Sequence, residues 1–173
     1  MRNMRRAILA LIVGLMLPLT TAVLAEDALV SPTGSVVLTV SGKIGATNSG
    51  DTAQFDLEML RALPPVSFST TTVWTDGIIE FTGVPLAVLL ESLGTSGGTV
   101  DAWAINDYLA EFEIELLEPE FPIIAYQLNG KPMSRREKGP LWIVYPYDAS
   151  AKYQTELAYA RSVWQLDRLE VLE

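Results

Sequence analysis

The most informative stretch of the chain is residues 66–94, VSFSTTTVWTDGIIEFTGVPLAVLLESLG. Its first part, residues 66–74, is rich in β-branched and aromatic residues, which favour a strand. Thr75-Asp76-Gly77 then predicts a turn, and a second strand follows it. Four leucines at the spacing i, i+3, i+4 and i+7 lie between Pro85 and Gly94, a pattern typical of an amphipathic helix with proline at its start and glycine at its end. We therefore predict a strand pair followed directly by a helix.

Strand patterns dominate the rest of the chain. Residues 56–63 predict one more short helix, with Asp56 as its N-cap. Asn129-Gly130 is the pair most typical of a two-residue hairpin turn. Further strands are predicted at residues 36–40, 100–105, 109–116, 123–128, 141–145 and 162–171. Together these elements predict an α+β domain with two or three short helices.

Residues 1–25 have the three parts of a secretory signal peptide. Three arginines precede an apolar run from Ala7 to Leu19, and small residues occupy the −3 and −1 positions before Glu26. The apolar run is shorter than the roughly 20 residues that a spanning helix needs. We therefore expect a cleaved signal peptide and an exported, periplasmic mature chain, a single domain over residues 26–173 without a transmembrane span. Removing three arginines and no acidic residue leaves 9 basic and 21 acidic residues, a net charge of −12.

The composition excludes several classes of site. The 173 residues include no cysteine and no histidine. A disulfide, a thiol nucleophile and a thiolate-bound metal are therefore excluded, as are a Ser-His-Asp triad and an ordinary catalytic zinc site. The formal net charge of −9 argues against a general nucleic-acid-binding protein. Any catalysis would depend on carboxylates, tyrosines, lysines or a bound cofactor.

Two groups of charged residues stand out along the chain. Glu111, Glu113 and Glu115 alternate with apolar residues, which places them on one face of one strand. Because like charges on one face repel each other, a solvated face fits this pattern better than a catalytic carboxylate pair. A basic cluster consists of Lys131, Arg135, Arg136 and Lys138. It is either a charged, solvated hairpin or a surface that docks on an anion or an acidic partner.

Aromatic residues beside turns and polar groups are the best candidates for a binding site. Trp74 precedes the predicted turn, Tyr108 follows Asn106-Asp107, and Trp142 lies shortly before Tyr145. Aromatic walls together with a carboxylate that accepts two N–H donors suit a flat, amide-like heterocycle such as a pterin. Core packing is the alternative for each tryptophan, and an Asx turn is the alternative for Asp107.

Six segments, in this order, resemble the sulfite-oxidase-type molybdopterin-binding domain family. The segments are TVWTDG at 72–77, FTGVPL at 81–86, AINDY at 104–108, IAY at 124–126 with NGKPM at 129–133, GPLWIVYP at 139–146 and RSVWQL at 161–166. They extend over most of residues 36–172. The resemblance implies a sulfite-oxidase-like fold with strand-rich mixed sheets.

Three departures from the family pattern bear on function. Enzymes of this family hold molybdenum through a cysteine thiolate in the region that is here residues 70–74, and this chain has no cysteine. Trp164 replaces the lysine that follows Ser-Val, and Trp142 replaces the arginine that commonly follows Gly-x-Pro-Leu. Without the metal ligand the redox centre is lost, because the cofactor carries that chemistry. The loss of cationic side chains fits a smaller ligand without a pyrophosphate.

With these departures, the chain is similar to a small, exported, cysteine-free branch of the family. That branch resembles periplasmic pterin-binding proteins that report to membrane-bound cyclic-di-GMP enzymes. The resemblance implies a non-catalytic module that binds a reduced pterin without molybdenum and docks on the periplasmic domain of a membrane protein. Two alternatives remain: a molybdopterin-dependent oxidoreductase, and a docking module of the same fold without a ligand.

The resemblance also implies which residues form the site. The predicted ligand-binding residues are Trp74, Asn106, Asp107, Tyr108, Tyr145, Arg161, Ser162 and Trp164. Trp74 and Trp164 are the predicted walls, and Asp107 is the carboxylate that faces the pterin edge. The basic cluster is the predicted partner-binding surface. No catalytic residue and no metal ligand are predicted.

Overall fold

The structure, a computed structural model, describes residues 29–173 and contains two five-stranded sheets. The predicted signal peptide lies outside the described residues. The strands are β1 Leu38–Gly42, β2 Ala53–Phe55, β3 Val66–Thr72, β4 Thr75–Pro85, β5 Thr99–Ala104, β6 Leu109–Glu113, β7 Ile123–Leu128, β8 Lys131–Pro132, β9 Trp142–Val144 and β10 Leu166–Leu172. The helices are α1 Leu57–Ala62, α2 Leu86–Ser92 and α3 Glu156–Ala160.

The two sheets differ in the direction of their strands. The first sheet has the order β2-β1-β10-β5-β6, and β1 is parallel to β10 while the other neighbours are antiparallel. The second sheet has the order β3-β4-β7-β8, with β9 also paired to β7, and all its pairs are antiparallel. This architecture confirms the predicted α+β class.

The main hydrophobic core contains residues of both sheets and of α2. Leu38 of the first sheet, Val84 of the second sheet and Leu89 of α2 are all fully buried members of it. A smaller cluster centres on Phe81 and Trp142. Burial of this apolar surface is the main stabilising contribution to the fold.

Three local predictions are confirmed. Asp56 is the N-cap of α1, and its side chain accepts a hydrogen bond from the Met59 backbone N–H at 2.9 Å. Helix α2 begins directly after Pro85, and Gly94 follows its end with a φ of 59°. Asn129-Gly130 forms the turn between β7 and β8, with φ values of 50° and 73°. Such positive φ values are what this pair of residues favours in a hairpin.

The turn predicted at Thr75-Asp76-Gly77 is wrong, because the chain turns two residues earlier. Val73 and Trp74 form the turn, and Thr72 pairs with Thr75 across it. The register between β3 and β4 shifts beyond this pair, and Gly77 has a φ of 70° within β4. Glycine at this position therefore serves an irregular strand and not the turn itself.

The later elements differ from prediction in three places. The strand predicted for 109–116 ends at Glu113 and continues as a 3₁₀ turn, which leaves Leu116 65% exposed. The strand predicted for 162–171 starts at Leu166, because Gln165 has a φ of 52° that interrupts extended backbone. Helix α3, capped by Thr155, was not predicted. Within residues 29–173, no helix is both long and apolar enough to cross a membrane.

Asp56 should give the fold an acid-sensitive contribution to stability. Hydrogen bonds from backbone N–H groups hold the pKa of the Asp56 carboxyl below its ordinary value of 3.8. The bond from Met59 has the largest effect, followed by those from Gly34 and Thr33. A carboxyl whose pKa is lower in the folded than in the unfolded state stabilises the fold at pH values above its unfolded pKa. This stabilisation is lost as the pH falls through the folded pKa. We expect Asp56→Asn to lower the Tm near neutral pH, and the difference from wild type to shrink in acid. Thermal unfolding at a series of pH values tests this, and a difference independent of pH would contradict it.

Candidate functional site

Five aromatic side chains form one cluster between the ends of the two sheets. Trp74 is at its centre, with ring centroids 5.5 Å from Trp164, 5.8 Å from Tyr159, 5.9 Å from Trp142 and 6.1 Å from Tyr147. Each of these pairs has an edge-to-face geometry, which is favourable for aromatic rings. The cluster therefore brings together residues from three distant parts of the sequence.

Local hydrogen bonds fix the position of Trp74 in its turn. The Thr72 Oγ1 atom accepts a hydrogen bond from the Trp74 backbone N–H at 3.1 Å, and it also bonds the Thr75 hydroxyl at 2.7 Å. Trp164 is held from the other side, because it forms an isolated backbone bridge with Trp142. The two indoles therefore lie against each other because of backbone contacts as well as side-chain packing.

A cavity of about 240 Å³ opens beside this cluster, and we call it the aromatic cavity. It is lined by Trp74, Ala104, Asn106, Tyr108, Tyr159, Ser162, Val163 and Trp164. Its volume is near the lower end of the roughly 300–1,000 Å³ typical of ligand pockets, so it suits a small molecule. Trp164 is 36% exposed and Tyr108 is 46% exposed, which places both at the mouth.

The polar groups of the aromatic cavity are unequal in their capacity to bind a ligand. The Ser162 hydroxyl donates to the Ala158 carbonyl at 2.7 Å and accepts from the Tyr147 hydroxyl at 2.5 Å, so its hydrogen is already used. The Tyr108 hydroxyl donates to the Ala160 carbonyl at 2.7 Å and can only accept from a ligand. Asn106 accepts from the Tyr108 backbone N–H through Oδ1 at 3.3 Å, which leaves its amide N–H groups as donors.

The aromatic cavity is lined by apolar and uncharged polar residues. Burial raises the pKa of Tyr147 to about 12, although the hydrogen bond with Ser162 opposes this effect. None of the lining residues named above carries a carboxylate, an amine or a guanidinium. The lining therefore supplies stacking surfaces and hydrogen bonds.

The region in which family enzymes carry the molybdenum ligand has a different chemistry here. Thr70 is fully buried, and its hydroxyl accepts from the Asp148 backbone N–H at 3.0 Å and donates to the Thr71 carbonyl at 3.1 Å. The Asp148 carboxylate in turn accepts two hydrogen bonds from Thr71. Among residues 29–173, no group of three or more histidine, cysteine or acidic side chains could hold a metal. Because the chain has no cysteine, the residues present do not supply the thiolate through which the family enzymes hold molybdenum.

The structure brings five of the eight predicted site residues together. Trp74, Asn106, Tyr108, Ser162 and Trp164 all line the aromatic cavity. Sequence analysis missed Tyr159, which belongs to the unpredicted helix α3. The Thr155-Glu156 pair, a helix-capping residue followed by an acidic one, was the available signal for that helix.

The other three predicted residues lie elsewhere. The Asp107 carboxylate is exposed and lies 2.7 Å from the Arg168 guanidinium, so it does not face the aromatic cavity. Tyr145 and Arg161 line a second cavity. These placements correct the predicted grouping of all eight residues around one pocket. They arise because the chain turns between Arg161 and Ser162 at the end of α3, and because Asp107 has a φ of 64°.

Three of the predicted partner-binding residues, Lys131, Arg135 and Arg136, are exposed, whereas Lys138 is half-buried against the aromatic cluster. Lys131 belongs to β8, and Arg135 and Arg136 lie in a 3₁₀ turn. The Lys138 ammonium lies 5.8 Å from the centroid of the Trp142 ring and 5.9 Å from that of the Trp164 ring. The basic cluster therefore reaches the mouth of the aromatic cavity through Lys138. Its role in docking stays a prediction.

Comparison with known proteins shows the fold. No protein-family model and no curated protein sequence matches the chain. Among solved structures, the chain is similar to the sulfane dehydrogenase SoxCD from Paracoccus pantotrophus, with 20% sequence identity over 78% of this chain and a TM-score of 0.58. The match covers 37% of that chain, so this chain spans well under half of the neighbour's length. The likeness supports the sulfite-oxidase-like fold that the sequence predicts.

Proposed function

We propose that this chain is a non-catalytic module that binds a reduced pterin in the aromatic cavity. The observation that carries the proposal is the pairing of Trp74 and Trp164 at the wall of a small cavity that also contains Asn106. Indole rings stack on a flat heterocycle, and the Asn106 amide donates to a ring carbonyl or nitrogen.

The charge of the lining favours the bare pterin over a larger cofactor. A dinucleotide form carries a pyrophosphate, which binds to cationic side chains or to backbone N–H groups. Trp164 occupies the position at which the family resemblance places a lysine, and the lining residues include no cation. When bound, a pterin would supply a flat ring with hydrogen-bonding edges, and the protein would hold and orient it.

We propose further that the module is exported and docks on the periplasmic domain of a membrane cyclic-di-GMP enzyme or sensor. The sequence of residues 1–25 and the family resemblance support this part of the proposal. The basic cluster offers the docking surface, and Lys138 connects it to the Trp164 ring. A ligand that covers Trp164 would change the surface next to Lys138, which gives a physical route from ligand to partner.

One experiment separates this proposal from its alternatives. Small molecules released from the purified protein are identified by mass spectrometry, molybdenum is assayed in the same sample, and tetrahydrobiopterin is titrated while tryptophan fluorescence is recorded. A pterin without molybdenum, or saturable quenching by tetrahydrobiopterin, supports the proposal. Molybdenum with a dithiolene pterin would instead support an oxidoreductase. An empty protein that does not bind tetrahydrobiopterin would favour a docking module without a ligand.

Substitutions of Asn106 and of its neighbour Asp107 test the proposed hydrogen bond between the Asn106 amide and the pterin. Asn106→Ala should weaken pterin binding about fivefold to tenfold, the effect of one lost hydrogen bond of about 1 kcal/mol. Asp107→Ala should change the affinity less, because its carboxylate contacts Arg168 and does not line the aromatic cavity. Fluorescence titration of both variants with tetrahydrobiopterin measures the difference. A larger loss in Asp107→Ala would restore the role that the family resemblance implies for Asp107.

A further inference from the structure

A second cavity, of about 220 Å³, lies on the other side of α3 from the aromatic cavity. We call it the Arg161 cavity. Ala158 and Arg161 line the Arg161 cavity, whereas Tyr159 and Ser162 line the aromatic cavity. Helix α3 and the turn that follows it therefore form a wall shared by the two cavities.

The walls of the Arg161 cavity include four aromatic side chains among fourteen lining residues. Phe112, Phe121, Tyr145 and Tyr153 all contribute to them. The Tyr153 ring centroid lies 5.7 Å from that of Tyr145 and 5.9 Å from that of Phe121. Such a surface favours a ligand with an apolar, flat body.

The lining of the Arg161 cavity contains two acidic residues, Glu113 and Glu118, and two basic residues, Lys152 and Arg161. The Glu118 carboxylate accepts hydrogen bonds at 2.8 Å from the Lys152 ammonium and the Tyr153 hydroxyl, and these bonds, that from Lys152 above all, lower its pKa. The negative charge of Glu118 is therefore balanced by the positive charge of Lys152. Within the part of the chain that the structure describes, Arg161 forms no salt bridge.

The Arg161 guanidinium is held against an apolar surface. Its central carbon lies 5.3 Å from the centroid of the Phe112 ring. Its Nε atom is buried and has no hydrogen-bond partner among residues 29–173. An unpaired donor in such a place costs free energy unless a partner binds it. A guanidinium also offers a planar pair of donors that matches a carboxylate.

We propose that the Arg161 cavity is a second binding site, which takes a small aromatic monocarboxylate. The Arg161 guanidinium binds the carboxylate, the aromatic walls enclose the ring, and the Tyr145 hydroxyl is a further donor at the same site. The two cavities have no lining residue in common, so this proposal does not depend on pterin binding in the aromatic cavity.

Isothermal titration calorimetry with phenylacetate tests this proposal, with phenylacetamide as a neutral ligand of the same shape. We expect saturable binding of phenylacetate and at least tenfold weaker binding of phenylacetamide. Arg161→Gln should weaken phenylacetate binding at least tenfold. Arg61→Gln is the matched control and should leave the affinity unchanged. Arg61 also lies over an aromatic ring and has a buried Nε without a partner, but it lines neither cavity.

Three results would overturn the assignment. They are equal affinity for the acid and the amide, an unchanged affinity in Arg161→Gln, and the lack of saturable phenylacetate binding to the wild-type protein. Thermal unfolding shows whether Arg161→Gln is folded. If it is not, Arg161→Lys keeps the charge without the planar pair of donors, and it should bind phenylacetate more weakly than wild type. The comparison of phenylacetate with phenylacetamide uses the wild-type protein, so it does not depend on whether a variant folds.

Discussion

Replacing Trp142 with alanine is expected to lower the free energy of unfolding by about 3–5 kcal/mol, the usual cost of deleting a large aromatic side chain from a core. Trp142 is fully buried, and its ring centroid lies 5.4 Å from that of Phe81 and 5.9 Å from that of Trp74. It joins the smaller hydrophobic cluster to the aromatic cluster. A loss of this size is a large part of the roughly 5–15 kcal/mol that stabilises a typical domain.

Trp142→Phe is the control for this prediction. The Trp142 Nε1 atom is buried and has no hydrogen-bond partner among the described residues, so phenylalanine loses volume without losing a hydrogen bond. We expect the phenylalanine variant to lose less than half of what the alanine variant loses. Urea denaturation followed by circular dichroism measures both. A loss below about 1 kcal/mol in the alanine variant would show that the cluster repacks around the gap.

The same substitution should also affect the aromatic cavity. Trp142 contacts both Trp74 and Trp164, with the Trp164 ring centroid at 6.4 Å. Its removal takes away the packing that holds these two indoles in their edge-to-face arrangement. Stability and the proposed ligand binding should therefore both depend on this one buried side chain.

Local sequence signals correctly predicted the helices and the turn that are determined by residues close together in the sequence. Asp56 caps α1, the Pro85–Gly94 leucine pattern forms α2, and Asn129-Gly130 forms a hairpin turn. In each case the residue satisfies a backbone requirement within a few positions along the chain. Such requirements can be read from one sequence without knowledge of the tertiary structure.

The errors arose where a specific pairing of residues overrides the preference of the local composition. Thr75-Asp76-Gly77 has the composition of a turn, but the Thr72–Thr75 pair places the turn at Val73 and Trp74. Similarly, the β-branched Val163 and the aromatic Trp164 favour a strand, but Trp164 pairs with Trp142 in an isolated bridge before β10 begins. A pairing partner as distant in sequence as Trp142 is from Trp164 is not visible in local composition.

The candidate site shows the same contrast between features that local sequence signals predict and features that depend on the tertiary structure. The aromatic residues were identifiable because they occur beside turns, and the order of the family-like segments placed Trp74 and Trp164 together. Arg161 and Ser162 are adjacent in sequence, yet they line different cavities because they follow α3 in a tight turn. Their separation could not be predicted, since the helix itself was missed.

Replacing Trp164 with alanine should give the largest loss of ligand binding. Trp164 is 36% exposed at the mouth of the aromatic cavity and packs 5.5 Å from Trp74 between ring centroids. Stacking of a heterocyclic base on an aromatic side chain contributes about 1–3 kcal/mol, and we apply that range to a pterin ring. The affinity for tetrahydrobiopterin should therefore fall by about 5- to 150-fold. Because Trp164 is partly exposed, its removal should cost less stability than the removal of Trp142.

Trp103→Ala is the matched control, because Trp103 is a tryptophan of β5 that does not line the aromatic cavity. Its ring instead lies 5.7 Å from the Arg168 guanidinium. We expect this variant to bind tetrahydrobiopterin with the wild-type affinity, measured by calorimetry so that the loss of a fluorophore does not matter. An unchanged affinity in Trp164→Ala, or equal losses in both variants, would mean that the pterin does not stack on Trp164. The ligand would then have to bind outside the aromatic cavity, and the proposal that rests on its walls would fail.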